Sequence, residues 1–122
     1  MQFTARPTTY RGIQMRSRLE ATFAAALDET GLAWTYEPRA YAGRTGQYLP
    51  DFEVRLANGR PLFIEVKPTV ELAFKWMPRM LVIRESVPDV DLMIAAASGP
   101  YWLSKPALHE GRWIVGLMDW SA

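Results

Sequence analysis

Apolar residues recur along this chain with two different periods, and the switches between them divide it into elements. From Met15 to Thr30 the positions Met15, Leu19, Phe23, Ala26 and Leu27 follow a helical spacing, and Gly31 stands where a left-handed C-cap would end the helix. Ala33 to Glu37 alternates as a strand does and stops at Pro38, and a polar, glycine-containing loop follows from Arg39 to Gln47. Leu49 to Lys67 reads as a hairpin around Asn58-Gly59. After Pro68 the pattern turns helical through Val70, Leu72, Ala73 and Trp76, and Pro78 is expected to divide this stretch into two short helical pieces. The unbroken apolar run Leu92 to Ala97 suits a buried central strand. Tyr101 to Leu103 and Arg112 to Met118 read as two further strands around a His109-Glu110-Gly111 turn. The order gives an α/β fold, a small mixed sheet of four to five strands flanked by helices, in a single domain over residues 1–122.

The register of the hairpin is decided by chemistry. Side chains alternate faces, so a slip of one residue moves every side chain across the sheet. A two-residue Asn58-Gly59 loop would pair Phe52 with Glu65 and Asp51 with Val66, mixing charge and apolar surface on both faces. A three-residue loop, Ala57-Asn58-Gly59 with Gly59 left-handed, gathers Phe52, Val54, Leu56, Leu62, Ile64 and Val66 on one face. The other face then collects Asp51, Glu53, Glu65 and Lys67, with Asp51 opposite Glu65.

Composition narrows the chemistry these charges can do. The 122 residues contain no cysteine and one histidine, His109, which removes disulfides, thiolate metal sites and His-rich zinc centres. Carboxylate sites favour hard cations such as Mg²⁺ and Mn²⁺. The formal net charge of +1 carries no global nucleic-acid signal, although Arg6, Arg11, Arg16 and Arg18 all precede the first acidic residue, Glu20. With no apolar leader segment and no run long enough to span a bilayer, the expectation is a cytoplasmic protein with no membrane partner.

Glu65 and Lys67 leave the same face of one strand, and Asp51 arrives from the next. Two carboxylates at cross-strand distance repel unless a cation lies between them. A divalent ion held by Asp51 and Glu65, with the Val66 carbonyl as a further oxygen ligand, satisfies that need, and Lys67 at its edge can orient water or a phosphate oxygen. A bare Glu-x-Lys triplet is far more often solvated surface. Here the apolar Leu62-Phe63-Ile64 approach and the register draw the charges together.

These residues resemble the PD-(D/E)xK nuclease superfamily. The similarity lies in Arg16-Ser17-Arg18-Leu19-Glu20, Trp34-Thr35-Tyr36-Glu37-Pro38, Tyr48-Leu49-Pro50-Asp51-Phe52 and Phe63-Ile64-Glu65-Val66-Lys67-Pro68, over about the first 70 residues, and is strongest to small phage and transposon-type endonucleases. The resemblance implies a restriction-endonuclease-like sheet and a Mg²⁺-dependent deoxyribonuclease in a prokaryotic or phage-infected cell, with Mn²⁺ as substitute. It implies further that Asp51 and Glu65 ligate the metal, that Lys67 positions the attacking water, and that Glu20 completes the site from the first helix. Glu20 has a structural alternative, because Ser17-Arg18-Leu19-Glu20 also fits a capping box. The helical phase of Ile13 and Met15 favours a helix that starts before Ser17, and so the site role. Arg16, Arg18 and Lys75 are candidates for holding flanking phosphates. Glu37, Glu53 and Glu71 are given no role. Trp34, Trp76, Trp102, Trp113 and Trp120 are read mainly as packing residues that have the chemistry to stack on bases. A homodimer follows by analogy, because cutting two strands needs two sites. A nuclease-like module that binds DNA or a recombination partner without cutting, and cleavage of RNA, stay open.

Overall fold

A computed structural model of the chain describes residues 6–44, 46–56, 59–87, 90–96 and 99–102. In chain order the elements are β1 (Thr8–Tyr10), β2 (Ile13–Met15), α1 (Arg18–Thr30), β3 (Trp34–Tyr36), β4 (Tyr41–Gly43), β5 (Gly46–Tyr48), β6 (Phe52–Arg55), β7 (Pro61–Lys67), α2 (Val70–Leu81), α3 (Ile83–Ser86), β8 (Asp91–Ala96) and β9 (Gly99–Trp102). The expected strand Arg112 to Met118, the His109 turn, Trp113 and Trp120 lie outside the described residues, as do Ala57 and Asn58.

One mixed five-stranded sheet, β3-β6-β7-β8-β9, carries the fold. The β6–β7 hairpin adopts the register that the apolar pattern selects. Phe52 lies opposite Ile64 and Val54 opposite Leu62, and Gly59 is left-handed at φ 84°. β7 and β8 are parallel, which requires a crossover, and α2 and α3 supply it. β8 is buried along its whole length, as expected of a strand covered on both faces. Arg60 reaches over the start of β8 to pair with the buried Asp91 carboxylate at 3.1 Å.

The two sheet faces form two cores. On one face Phe52, Val54, Leu62, Ile64, Val66, Met93 and Ala95 pack against Phe23, Ala24 and Leu27 of α1. Phe52 sits at the centre of this layer, with ring centroids 5.3 Å from Phe23, 5.6 Å from Trp34 and 5.4 Å from Tyr36. On the other face Phe63, Leu92 and Ile94 pack against Ala73 and Met80 of α2, Ile83 of α3, and Tyr41 and Tyr48 of the β4–β5 hairpin. The face that carries Asp51, Glu53, Glu65 and Lys67 is therefore a second core, closed by Phe63 between the charged positions.

Three local expectations change. The first helix does not start before Ser17. Arg11 (φ 49°) and Gly12 (φ 81°) are both left-handed, so they reverse the chain as a tight hairpin turn does, and Ile13–Met15 pairs back on Thr8–Tyr10. Met15 is buried, as a helical face would have placed it, because the end of β2 points into the same core. The expected loop Arg39 to Gln47 contains the β4–β5 hairpin, docked on α3. Gly43 permits that docking, since a Cβ there would lie 2.3 Å from Glu85 Oε2 and 2.6 Å from Val82 Cγ1. Ser86 donates its hydroxyl to the Ala42 carbonyl. Finally, Pro78 does not divide the second helix, which runs on to Leu81 and breaks at Val82. Pro78 has no N–H to donate and its ring crowds the preceding turn, but it lies on the exposed side of the helix, where the backbone can adjust and the helix continues.

Asp28 ties α1 to the elements before and after it. Its carboxylate accepts from the Tyr10 hydroxyl and from Trp34 Nε1 at 2.8 Å, and pairs with Arg11 at 3.2 Å. The Tyr10 and Trp34 hydrogen bonds hold its pKa below the ordinary aspartate value, with Arg11 adding to the effect. A depressed carboxyl pKa stabilises the fold above the unfolded-state value and is lost as pH falls through the folded-state value. Asp28→Ala should therefore cost about 2 kcal/mol at neutral pH, with the difference from wild type shrinking in acid, as read by denaturant melts between pH 7 and pH 2.

Candidate active site

β6 begins at Phe52, opposite Ile64, while β7 continues past that pair through Glu65, Val66 and Lys67. The β7 edge facing β6 thus outruns its partner strand, and Asp51 occupies the gap. Its Oδ2 accepts the Val66 N–H at 2.8 Å, and its backbone carbonyl accepts the Glu37 N–H at 2.8 Å. Glu37 holds a left-handed φ of 45° at the end of β3, where it turns its amide onto Asp51. The N–H and C=O of one strand residue leave the same edge, so the Val66 carbonyl is directed to the edge where Asp51 lies. Asp51 Oδ1 makes no hydrogen bond among the described residues.

Glu65 and Lys67 project from the α2 face. Lys67 Nζ lies 3.2 Å from Glu65 Oε1, and the Tyr48 hydroxyl donates to Glu65 Oε2. Lys67 Nζ also stands 3.9 Å from the ring centroid of Trp76 on α2, within cation–π range. The ammonium is thereby fixed from two sides. Asp51, Glu65 and Glu20 are all buried, at 8%, 3% and 6% exposure. Burial pushes the Asp51 carboxyl well above the usual range, and the charges of Glu65 and Glu20 push it further. Burial also raises Glu65, against the pull of Lys67 and the Tyr48 hydroxyl. The Tyr48 phenol is driven well up by burial and by Glu65, so it stays a hydrogen-bond donor.

Glu20 belongs to the opposite face. Ser17 is the N-cap of α1, and its Oγ accepts the Glu20 N–H at 3.1 Å. The Glu20 carboxylate interacts with the Ser17 hydroxyl at 3.3 Å and receives the Tyr36 hydroxyl at 3.1 Å. This is half of a capping box, with the carboxylate bonded to hydroxyls and the charge turned toward the site end of the sheet. Glu20 raises the pKa of both Asp51 and Glu65, yet among the described residues no three His, Asp or Glu side chains converge into a metal cage. The Glu20 carboxylate is thus engaged by the Ser17 and Tyr36 hydroxyls, and its expected role as a ligand belongs to the proposed function. α1 lies on the far face of the sheet, and its carboxylate acts on the site through its field.

The donor set suits a hard divalent cation. Asp51 and Glu65 feel the ammonium of Lys67, and Asp51 Oδ1, Glu65 and the Val66 carbonyl are oxygen donors at one strand end. Mg²⁺ is commonly held by one or two carboxylates and completes its shell with water and substrate phosphate, without a full protein cage.

The proposed phosphate contacts fall in two places. Arg16 and Arg18 are exposed at the start of α1, beside Tyr36 and Glu20. Arg16 is paired with Glu37 at 2.7 Å. Lys75 is exposed on α2 and is not brought to the carboxylates. Sequence reasoning missed Tyr48 and the backbone of Glu37, although both stand in the quoted motif segments. The signal for Tyr48 is its place three residues before Asp51, on a strand that returns toward the site. Trp34 packs on Phe52 and Tyr10 as expected. Trp76 is the departure: its ring carries Lys67 and also Arg79, whose guanidinium carbon lies 4.6 Å from the centroid.

Comparison with protein-family models, with curated proteins and with solved structures gave no match. Among the described residues no helix is long and apolar enough to cross a membrane.

Because Asp51 is harder to ionise in the fold than in the unfolded chain, the folded state binds its proton more tightly. Stability then falls as pH rises from the ordinary aspartate range through the raised value, and at neutral pH the ionised group costs the metal-free fold. Asp51→Asn removes the charge and keeps an oxygen for the Val66 N–H. In EDTA at pH 8 it should melt higher than wild type, by roughly 4 °C for each kcal/mol gained, with the gain shrinking toward pH 4. A lower melting temperature at pH 8 would contradict this account of the site.

Proposed function

We propose that the chain is a metal-dependent deoxyribonuclease of the PD-(D/E)xK type, with a restriction-endonuclease-like sheet. The observation that carries this reading is the strand overhang. Asp51 sits on the Val66 amide, and Glu65 and Lys67 share one face beyond the Phe52–Ile64 pair. In this reading Asp51, Glu65 and the Val66 carbonyl hold Mg²⁺, or Mn²⁺ in its place. When bound, the ion supplies Lewis-acid stabilisation of the phosphate charge and makes water more acidic. Lys67, pinned between Glu65 and Trp76, orients the attacking water and offsets negative charge developing on phosphorus oxygens. Tyr48 fixes the Glu65 carboxylate so that its second oxygen stays aimed at Lys67. Glu20 holds the local field negative and favours cation entry. Arg16 and Arg18, exposed at the start of α1, would hold flanking phosphates, and a homodimer would provide a second site for the second strand. The cytoplasm of a prokaryotic or phage-infected cell fits such a nuclease.

One observation favours a second reading, a nuclease-like module that binds DNA or a recombination partner without cutting. Both Glu65 oxygens already have protein partners, Tyr48 and Lys67, so the site is partly self-neutralised without a metal.

Purified protein incubated with supercoiled, linear and branched DNA, and with RNA, in Mg²⁺ or Mn²⁺ separates the two. Cleavage that needs the metal and drops at least about 100-fold in Asp51→Ala, Glu65→Gln and Lys67→Ala is expected, the scale of losing one electrostatic group in a preorganised site. No cleavage on any substrate, or cleavage undiminished in these variants, defeats the nuclease reading. Metal binding by calorimetry that is lost in Asp51→Ala is expected of the nuclease and not of the module.

A further inference from the structure

Trp76 and Arg79 stand three residues apart on α2, and so on one helix face. The indole is shared by two cations, Lys67 Nζ at 3.9 Å and the Arg79 guanidinium carbon at 4.6 Å from its centroid. Their environments differ. The Lys67 side chain is 16% exposed and bound to Glu65. Arg79 is exposed and makes no ion pair among the described residues. It lines a cleft of about 420 Å³ together with Gly46, Gln47, Pro78 and Val82, between the C-terminal half of α2 and the β4–β5 hairpin.

The walls of this cleft are held in place, and they suit an anion. The hairpin is clamped on α3 through Ser86 and the close approach at Gly43. Glu85, behind the hairpin, is occupied by the Arg44 N–H at 2.6 Å and by the Arg44 guanidinium at 3.9 Å. Gly46 presents no side chain, and Gln47 is exposed, with an amide able to donate. The guanidinium itself is planar, permanently charged and matched to a phosphate by two parallel N–H donors. Because one ring holds both cations, Arg79 and Lys67 can be no farther apart than a span on the scale of one nucleotide step.

We propose that this cleft is a phosphodiester subsite, in which Arg79 binds a backbone phosphate one step from the phosphate acted on at Asp51, Glu65 and Lys67. The assignment rests on the nuclease reading above. It gives the strand a direction, from the carboxylate site across the edge of Trp76 and into the gap between α2 and the β4–β5 hairpin. With cations on its ring, Trp76 serves as a spacer between two phosphate contacts and leaves base stacking to other groups.

The test uses the full chain and fluorescence anisotropy with duplex DNA, single-stranded DNA and RNA of one sequence, in Ca²⁺ or EDTA over a range of salt. Arg79→Gln, on an exposed position and checked for folding by circular dichroism, should bind about tenfold more weakly. Its salt slope should fall by about one, and Arg79→Lys should restore most of that slope. Which of the three nucleic acids shows the Arg79-dependent slope identifies the strand that enters the cleft. A neutral methylphosphonate placed beside the scissile position should weaken wild type and leave Arg79→Gln unaffected. Unchanged affinity and slope in Arg79→Gln, or equal sensitivity of both proteins to the methylphosphonate, overturns the subsite. A wild type that binds with an Arg79-dependent slope and does not cut overturns the nuclease reading and keeps the phosphate contact.

Discussion

The register of β6 on β7 is the constraint on which the rest depends. β6 begins with Phe52 paired to Ile64, beyond which β7 still has Glu65, Val66 and Lys67 to run. An edge that outruns its neighbour leaves a backbone N–H and C=O without a ladder partner, and in a buried setting that is costly. Asp51 resolves half of it by accepting the Val66 N–H. The same parity sends Val66 into the apolar layer on α1 and turns Glu65 and Lys67 toward α2. A shift of one residue would bury Glu65 against Phe23 and Phe52 and turn Val66 to the α2 face. Apolar packing on one face thus fixes the charged geometry on the other.

The hairpin register was legible because it rests on alternation over a long stretch, where each wrong pairing would bury a charge. The central strand and the mixed sheet were legible for a similar reason, since Leu92 to Ala96 has no polar position to place in water. The β1–β2 and β4–β5 hairpins were not. Each strand there has three residues, too few for a period to declare itself, and Met15 satisfies a helical face and a strand end equally well. What forms them is backbone: left-handed Arg11 and Gly12, and a glycine at 43 that lets α3 close in. The persistence of α2 past Pro78 was illegible for another reason. The cost of a helical proline depends on how far the preceding turn can adjust, and only the packing reveals that Pro78 faces outward.

In the candidate site, residues contributed by one hairpin could be placed from sequence, while those arriving from elsewhere could not. Asp51, Glu65, Val66 and Lys67 are joined by the register alone. Tyr48 and Trp76 come from elements whose docking sets their reach, and they prove to be the partners that immobilise Glu65 and Lys67. Glu20 shows the converse. Its spacing fits a capping box and its chemistry fits a ligand, and the structure shows Ser17 as the N-cap with the carboxylate held by the Ser17 and Tyr36 hydroxyls. α1 covers the face opposite Glu65, so Glu20 is tied to Ser17 and Tyr36 and influences the two carboxylates across the sheet end through its charge.

This arrangement also gives the net charge of +1 a structural meaning. Several cations are already committed to carboxylates: Arg11 to Asp28, Arg16 to Glu37, Arg44 to Glu85, Arg55 to Glu53 and Arg60 to Asp91. Surface pairs of this kind contribute little stability singly, but they cancel long-range field. Among the described residues, what remains includes the exposed Arg18 and Lys75, the buried carboxyl groups of Glu20, Asp51 and Glu65, and two cations, Lys67 and Arg79, that share one indole. A net charge so small gives little long-range attraction for a polyanion, so in the proposed nuclease reading affinity would come from contact, where a divalent cation and the phosphate it accompanies would together complete the charge of the strand end.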